Sequence, residues 1–277
     1  MFQHFILTRF NLRDPALEKE AGNVSVVSED WLTSRLELFE SYCLPTVKAQ
    51  SNKRFTWLVF FDVTTPDAFK EKIAAYAAGF DNFHPIFING MDEFLPSIKQ
   101  EVGARLSQPY VITSRLDNDD AWHQDFVQEI QAQFAEQDFL ALDVVDGYTM
   151  QVEPQVRLGK RSHVHNPFIS LIEKSDNFVT VWSRKRHGHW SKVKALKPLR
   201  GKRLWMSVIH EENKTNEFLG YDDIPWQTIK KFNLPAQLLT KLESNMMPFA
   251  KWQKESRKFK IKTNWKVFFK LLKRKFS

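Results

Sequence analysis

The sequence predicts an α/β fold built on a mostly parallel sheet with helices on both of its faces. Three observations carry that expectation. Strand-like and helix-like segments alternate as βαβαβαβ up to about residue 120. The segment 55–61 is continuously apolar, as a strand buried on both faces must be. Acidic residues gather just beyond such runs, at the strand ends where open α/β sheets bind their ligands. The chain has 277 residues, 43% apolar and 26% charged, enough for one large globular domain with a sizeable core.

Residues 5–10 read as the first strand, with Arg9 and Arg13 flanking its end. Residues 16–28 form a loop around Gly22 and Asn23, and Ser28 with Glu29 and Asp30 supplies an N-cap and first-turn acids. Leu32, Leu36, Phe39, Cys43 and Val47 then recur every three or four positions, which marks a buried helical face, kinked near Leu44 by Pro45. Strand 55–61 ends at Asp62, which is placed either to accept hydrogen bonds from a ribose or base or to serve as a turn residue before Pro66. A helix at 67–78, a strand at 84–88 and a helix at 91–106 follow.

The chain then reaches its most informative stretch. A β-forming run at 110–113 delivers Asp117, Asp119 and Asp120 within four residues, before Ala121 and Trp122 open a new segment. Carboxylates so crowded raise one another's pKa unless a cation or hydrogen-bond donors offset the charge. A divalent cation suits them, since Mg²⁺ or Mn²⁺ takes one or two protein carboxylates together with water and substrate phosphate. The same acids would also suit a solvated turn at a helix N-terminus.

Phe126, Ile130 and Phe134 give another helical face, and a strand at 139–145 ends at Asp146 and Gly147. Residues 152–166, with Pro154, Gly159, Arg157, Lys160, Arg161, His163 and His165, read as a mobile basic loop, able to close over phosphates or simply solvated. Strands follow at 166–173 and 204–210, separated by a turn bearing His187, His189 and Trp190. His210 closes the second of them and opens a polar stretch through Asn213 to residue 216. Residues 222–245 suggest short helical stretches and no chemistry.

Four of these pieces together resemble the putative rhamnosyltransferase family, bacterial nucleotide-sugar glycosyltransferases of the GT-A, Rossmann-like fold. They are residues 5–11, 44–50, 113–120 and 205–213, which span most of residues 4–220. The resemblance implies a nucleotide-diphosphate sugar donor, with rhamnose suggested by the family's name, and a divalent cation, Mn²⁺ or Mg²⁺, held by the Asp-x-Asp motif. By position, Asp119 would ligate the metal with His210, and Asp117 would approach the ribose or the metal through water. Arg9, Asp62, Arg115 and Asn213 complete the expected donor-binding set. The acceptor would be a glycan or a lipid-linked sugar in surface polysaccharide synthesis.

Glycosyl transfer needs the leaving diphosphate neutralised, for which Arg115 is available, and, if the anomeric centre inverts, a carboxylate to deprotonate the acceptor hydroxyl. Asp146 is the first candidate for that base and Glu173 the second; inversion and retention both stay open. A second class, a metal-dependent phosphoryl-transfer or nuclease enzyme with a basic nucleic-acid-binding tail, would also cluster aspartates at strand ends. It gives the segment at His210 no role.

The net charge of +7 is concentrated in the last residues: from Lys251 onward eleven Lys or Arg face one acid, Glu255, so the rest of the chain is mildly acidic. This divides the sequence into a transferase domain, 1–248, and a basic amphipathic tail, 249–277. Trp265, Phe268, Phe269, Leu272 and Phe276 share one helical face, and Lys266, Lys270 and Lys273 line another. The pattern suits peripheral attachment to an anionic inner-membrane surface; packing of the aromatic face on the domain is the alternative, and nucleic acid is not expected. One cysteine, Cys43, and the absence of signal-peptide or membrane-spanning features in the sequence suggest a cytoplasmic location.

Overall fold

The computed structural model describes residues 1–14, 25–184, 187–211, 213 and 217–275. The loop expected around Gly22 and Asn23, Phe276, and most of the polar stretch after His210 lie outside the described residues.

Two sheets organise the chain. The larger contains β1 (Phe2–Arg9), β2 (Thr56–Asp62), β3 (Phe83–Ile88), β4 (Tyr110–Arg115), β6 (Phe139–Val144), β9 (Ile169–Lys174) and β10 (Leu196–Leu199), in the order β10-β6-β9-β4-β1-β2-β3. Every neighbouring pair runs parallel except at β9, which is antiparallel to both β4 and β6. The smaller sheet joins β5 (Ala121–Trp122), β7 (Asp146–Gln151), β8 (Arg157–Ser162) and β11 (Trp205–Ile209), in the order β5-β11-β7-β8. The expectation of a mixed, mostly parallel sheet flanked by helices holds.

Continuous apolarity in the central strands has its cause in the period of two along a strand. In β1 and β2, Ile6, Trp57, Val59 and Phe61 face one core, while Phe5, Leu7, Leu58 and Phe60 face the other. The first core is closed by α1 (Glu29–Leu38), a π-helical turn at Phe39–Cys43 and α2 (Leu44–Lys48), through Leu32, Leu36, Phe39 and Val47. Pro45 falls in the first turn of α2, where its missing N–H costs nothing; the π-helical turn absorbs the expected kink. The second core lies beneath α4 (Phe94–Arg105), through Phe94, Ile98 and Val102, and beneath Trp182 and Trp190. α3 (Asp67–Ala78), which follows β2, and α5 (Phe126–Gln131), which follows β5, also pack on the first core, through Ile73, Phe126 and Ile130.

The chain passes from one sheet to the other at Val145, between β6 and β7. Gly147 makes this crossing possible, because a Cβ there would collide with the indole ring of Trp205. That indole is buried, stacks on Phe168 at 4.5 Å and donates from Nε1 to the Val144 carbonyl.

Residues 152–166 are not a loop throughout. Most of the basic segment is β8, paired antiparallel along the whole of β7. Lys160 forms an ion pair with Asp222 at 3.1 Å, and Arg157 pairs with Glu255 at 2.9 Å and lies over the Phe218 ring. Those partners come from distant parts of the chain, so the charges hold the sheet together rather than forming a lid.

The tail is likewise part of the domain. After α6 (Ala236–Ser244), α7 (Phe249–Lys275) runs as one long helix across the surface. Trp252, Ser256, Thr263 and Val267 are buried, with Val267 packed among Val145 and Val164. Arg274 donates to the carbonyls of Val193, Lys194 and Leu196, and Lys260 pairs with Asp222. A boundary at residue 248 therefore divides sequence composition, not packing.

Candidate functional site: the acidic end of the fourth strand

Parallel β1, β2 and β4 end at the same edge of the sheet, and the polar residues that follow them meet there. The turn after β4 is fixed from within. Asn118 donates to the Phe10 carbonyl, the Asp120 N–H donates to the Asp117 carbonyl, and the Cys43 thiol lies 3.7 Å from that same carbonyl.

The three aspartates face different surroundings. Asp117 takes hydrogen bonds from Nε and Nη2 of Arg115, whose guanidinium lies 4.0 Å from the centre of the Trp182 ring. Asp119 turns the other way. Its Oδ2 accepts from Arg35 Nη1 at 2.7 Å and lies 3.2 Å from His210 Nε2. Burial alone would raise the Asp119 pKa; the hydrogen bond to His210 and the charge of Arg35 outweigh it and hold the group below the ordinary carboxylate range. Asp120 is buried against β11, where its Oδ1 accepts the Val208 N–H at 3.1 Å. Burial, then the charges of Asp119 and Asp117, push its pKa well above the usual value.

His210 is positioned by its own turn. Its N–H donates to Asn213 Oδ1, and Asn213 Nδ2 lies 2.9 Å from His210 Nε2. The same ring nitrogen thus faces an amide donor and a carboxylate oxygen. With its proton on Nε2 the ring donates to Asp119; with the proton on Nδ1 the Nε2 lone pair accepts from the amide and faces the carboxylate oxygen at 3.2 Å, a contact that a cation would relieve. His210 Nδ1 is buried with no hydrogen-bond partner. One carboxylate oxygen with one imidazole nitrogen is a mixed donor pair that suits Mn²⁺ better than the oxygen-seeking Mg²⁺. Among the described residues no group of three His, Cys, Asp or Glu side chains is placed to hold a metal ion.

Arg9, at the end of β1, is within electrostatic reach of Asp117 and Asp119; burial lowers its pKa and those carboxylates oppose the shift. Asp62, at the end of β2, is at the same edge but engaged. It accepts from the backbone N–H and Nε of Arg13 and from the N–H and hydroxyl of Thr64. Burial alone would raise its pKa, and these bonds hold it down. It therefore fixes Arg13 in place rather than offering a free carboxylate to a ligand.

Neither carboxylate expected to act as base reaches this edge. Glu173 pairs across from Val111, near the start of β4, on the order of 15 Å from its acidic end. There it accepts the N–H groups of Val179 and Thr180. The cause is the direction of β9, which runs against its neighbours. Asp146 begins β7, whereas the partner strand β11 meets His210 at its far end, again on the order of 15 Å away. Its oxygens are taken by the Ser162 hydroxyl, Arg200 Nε and the Gly201 N–H. Both residues are structural anchors. Periodicity also missed Arg35, which carries the ion pair to Asp119; its signal was a cation three residues from Leu32 on an otherwise apolar helical face.

A mostly parallel sheet that gathers acidic and basic side chains past its strand ends is the place where open α/β folds bind their ligands. The chain belongs to the family described as putative rhamnosyl transferase, whose model matches residues 3–221. No curated protein sequence matches it. Similar solved structures include S. aureus TarS 1–349 in complex with UDP, at 12% identity and a TM-score of 0.45, over 94% of this chain and 70% of that one. Another is the mannosyltransferase PcManGT from Pyrobaculum calidifontis in complex with GDP-Man and Mn²⁺, at 10% identity and a TM-score of 0.42, over 77% and 58%.

Proposed function

We propose that the protein transfers a sugar from a nucleoside diphosphate donor to a hydroxyl of a glycan or lipid-linked acceptor, in surface polysaccharide synthesis. The family's name points to rhamnose as that sugar. The observation that carries the reading is the meeting of Asp119 and His210 at the parallel strand ends, with Arg9, Arg115 and Asp117 beside them.

In this reading Asp119 and His210 would hold the divalent cation, which would supply positive charge to the leaving diphosphate. Asn213 holds the His210 turn through the backbone N–H, and His210 and Arg35 together keep the Asp119 pKa low. Arg115, held by Asp117 and the Trp182 face, and Arg9 supply the remaining positive charge toward the phosphates. Asp117, whose side chain is 31% exposed, is the carboxylate open to a ribose. Asp120, its pKa raised by burial and by the charges of Asp119 and Asp117, packs against β11 outside the chemistry.

Calorimetric titration with UDP, dTDP, GDP and their sugars, with and without Mn²⁺, tests this. One nucleoside diphosphate should bind at least about tenfold tighter with the cation, and His210→Ala should remove the difference. Cation-dependent hydrolysis of nucleic acid without selective diphosphate binding would replace the reading with the nuclease alternative.

A further inference from the structure

The inner face of α7 is spent on the domain, and what it leaves outward is unusual. Of the ten large hydrophobic side chains exposed among the described residues, five lie on this one helix: Ile261, Trp265, Phe268, Phe269 and Leu272, exposed by 61, 58, 56, 47 and 37%. Ile261, Trp265, Phe268 and Leu272 follow one another at steps of four, three and four, so they form a single stripe opposite Thr263 and Val267. Stacking of Trp265 on Phe269, with ring centres 5.4 Å apart, widens the stripe without covering it.

Beside the stripe, between α7 and β8, lies a cavity of about 490 Å³. Its apolar wall includes Trp265, Phe269, Val164 and Leu219, and its polar wall carries Arg161, Lys262, Lys266 and Lys270. None of the residues lining it is acidic. Lys270 donates to the Val164 carbonyl, and the charge of Asp143, which is outside the cavity lining, also acts on it. Burial lowers the Arg161 pKa, as it does for a cation with little to offset its lost hydration. Four cations line an apolar space whose walls carry no acid; a phosphate with hydrocarbon attached matches both the charge and the apolar wall.

We propose that the cavity between α7 and β8 binds the phosphate group of an anionic phospholipid, with the outer face of α7 seated in the bilayer that supplies it. Trp265 belongs to both features: it projects from the helix and lines the cavity, so the lipid chain leaves the site along the stripe that enters the membrane. Charge selects the occupant. A neutral protein partner could cover the aromatic face but would leave the cations unpaired, whereas an anionic bilayer pairs both together. Transfer chemistry plays no part in this inference, which stands or falls apart from the reading of the strand-end site.

The test is co-sedimentation of the full chain with vesicles of phosphatidylcholine alone and of phosphatidylcholine mixed with phosphatidylglycerol. The protein should pellet with the mixed vesicles and remain in solution with the neutral ones. Arg161→Gln with Lys266→Gln should weaken partitioning about fivefold for each charge removed. Trp265→Ser with Phe268→Ser, both exposed and therefore tolerated by the fold, should abolish it while leaving Mn²⁺-dependent nucleotide binding unchanged. Exchange of chloride for inorganic phosphate at equal ionic strength should leave partitioning in place. The proposal is overturned if neutral and mixed vesicles bind alike, or if the Arg161 and Lys266 variant partitions as the unaltered protein does. It is also overturned if inorganic phosphate displaces the protein while the Trp265 and Phe268 variant still pellets, which would make the cavity a free-phosphate site. A lipid-free dimer that the aromatic variant dissolves, with no pelleting, would assign the face to a second copy instead.

Discussion

Replacing Asp119 by Asn removes one charge and almost no volume from the centre of the proposed site. The carboxylate is 16% exposed and the Arg35 side chain 11%, so their ion pair at 2.7 Å is largely shielded from water. Breaking a fully buried pair costs about 3–5 kcal/mol. The residual exposure, and an amide oxygen that can still accept from Arg35, reduce this to about 2 kcal/mol. For a chain of this size that corresponds to a fall of roughly 3–4 °C in Tm. The pH dependence has a definite sign. Asp119 is held below its ordinary pKa, so its contribution is complete above the unfolded value, near about 3.9, and is lost as pH falls through the folded one. The difference in Tm between the two proteins should thus be constant at neutral pH and shrink in acid. Turnover, if Asp119 holds the cation, should fall by about 100-fold or more, equivalent to ~2.7 kcal/mol of transition-state stabilisation. Scanning calorimetry from pH 3 to 8 and donor turnover at saturating Mn²⁺ measure the two effects. An unchanged Tm would refute the ion-pair argument, and wild-type turnover would refute the metal assignment.

His210→Ala should weaken Mn²⁺-dependent diphosphate binding about tenfold or more while costing little in Tm, because one ring nitrogen is already unpartnered; equal losses in both would make the histidine a packing residue. Asp146→Asn and Glu173→Gln should each lower Tm by a few degrees and leave kcat within about twofold, since both acids serve backbone and side-chain donors far from the strand ends; a loss of kcat comparable to that of Asp119→Asn would restore the base role. Asp143 is buried, and burial pushes its pKa up to about 6. A raised carboxyl pKa favours the fold only below its ordinary value and loses that contribution as pH rises through about 6, so Asp143→Asn should raise Tm at pH 8 relative to the parent and not at pH 4. Gly147→Ala should destabilise by about 1–3 kcal/mol or more through the Trp205 ring, measured by urea unfolding.

Strands buried on both faces were legible because their apolarity is uninterrupted: β1, β2 and β4 read correctly, and with them the edge where Arg9, Asp62 and Asp117 lie. His210 was legible too, as a polar residue closing an apolar run, and the fold brings it within 3.2 Å of Asp119. Strand direction was not legible. Nothing in residues 169–174 distinguishes a parallel from an antiparallel neighbour, so Glu173 was expected at the wrong end of the sheet. β8 was missed because Arg157, Lys160 and Arg161 resemble a solvated segment until Asp222, Glu255 and the cavity beneath α7 are seen around them. Arg35 was passed over because a search for apolar recurrence does not count the charge in its midst. The aromatic face of α7 was visible from spacing alone, but which face the domain would claim required the positions of Val145 and Val164.

The antiparallel β9 has a consequence for the order in which this sheet can assemble. It lies between β4 and β6, both of which precede it in the chain, so the slot it fills must stay open until residues 169–174 arrive. Until then β4 presents a bare hydrogen-bonding edge and β6 has no partner in this sheet, since β10 also follows later in the chain, and those edges can pair with other chains as readily as with β9. Closure is non-local on both sides, joining Ile172 to Ile112 and to Leu140 at once. A fragment ending before residue 169 would therefore present the open edge of β4 and an unpaired β6 instead of a smaller folded domain, and β9 is the keystone that joins them.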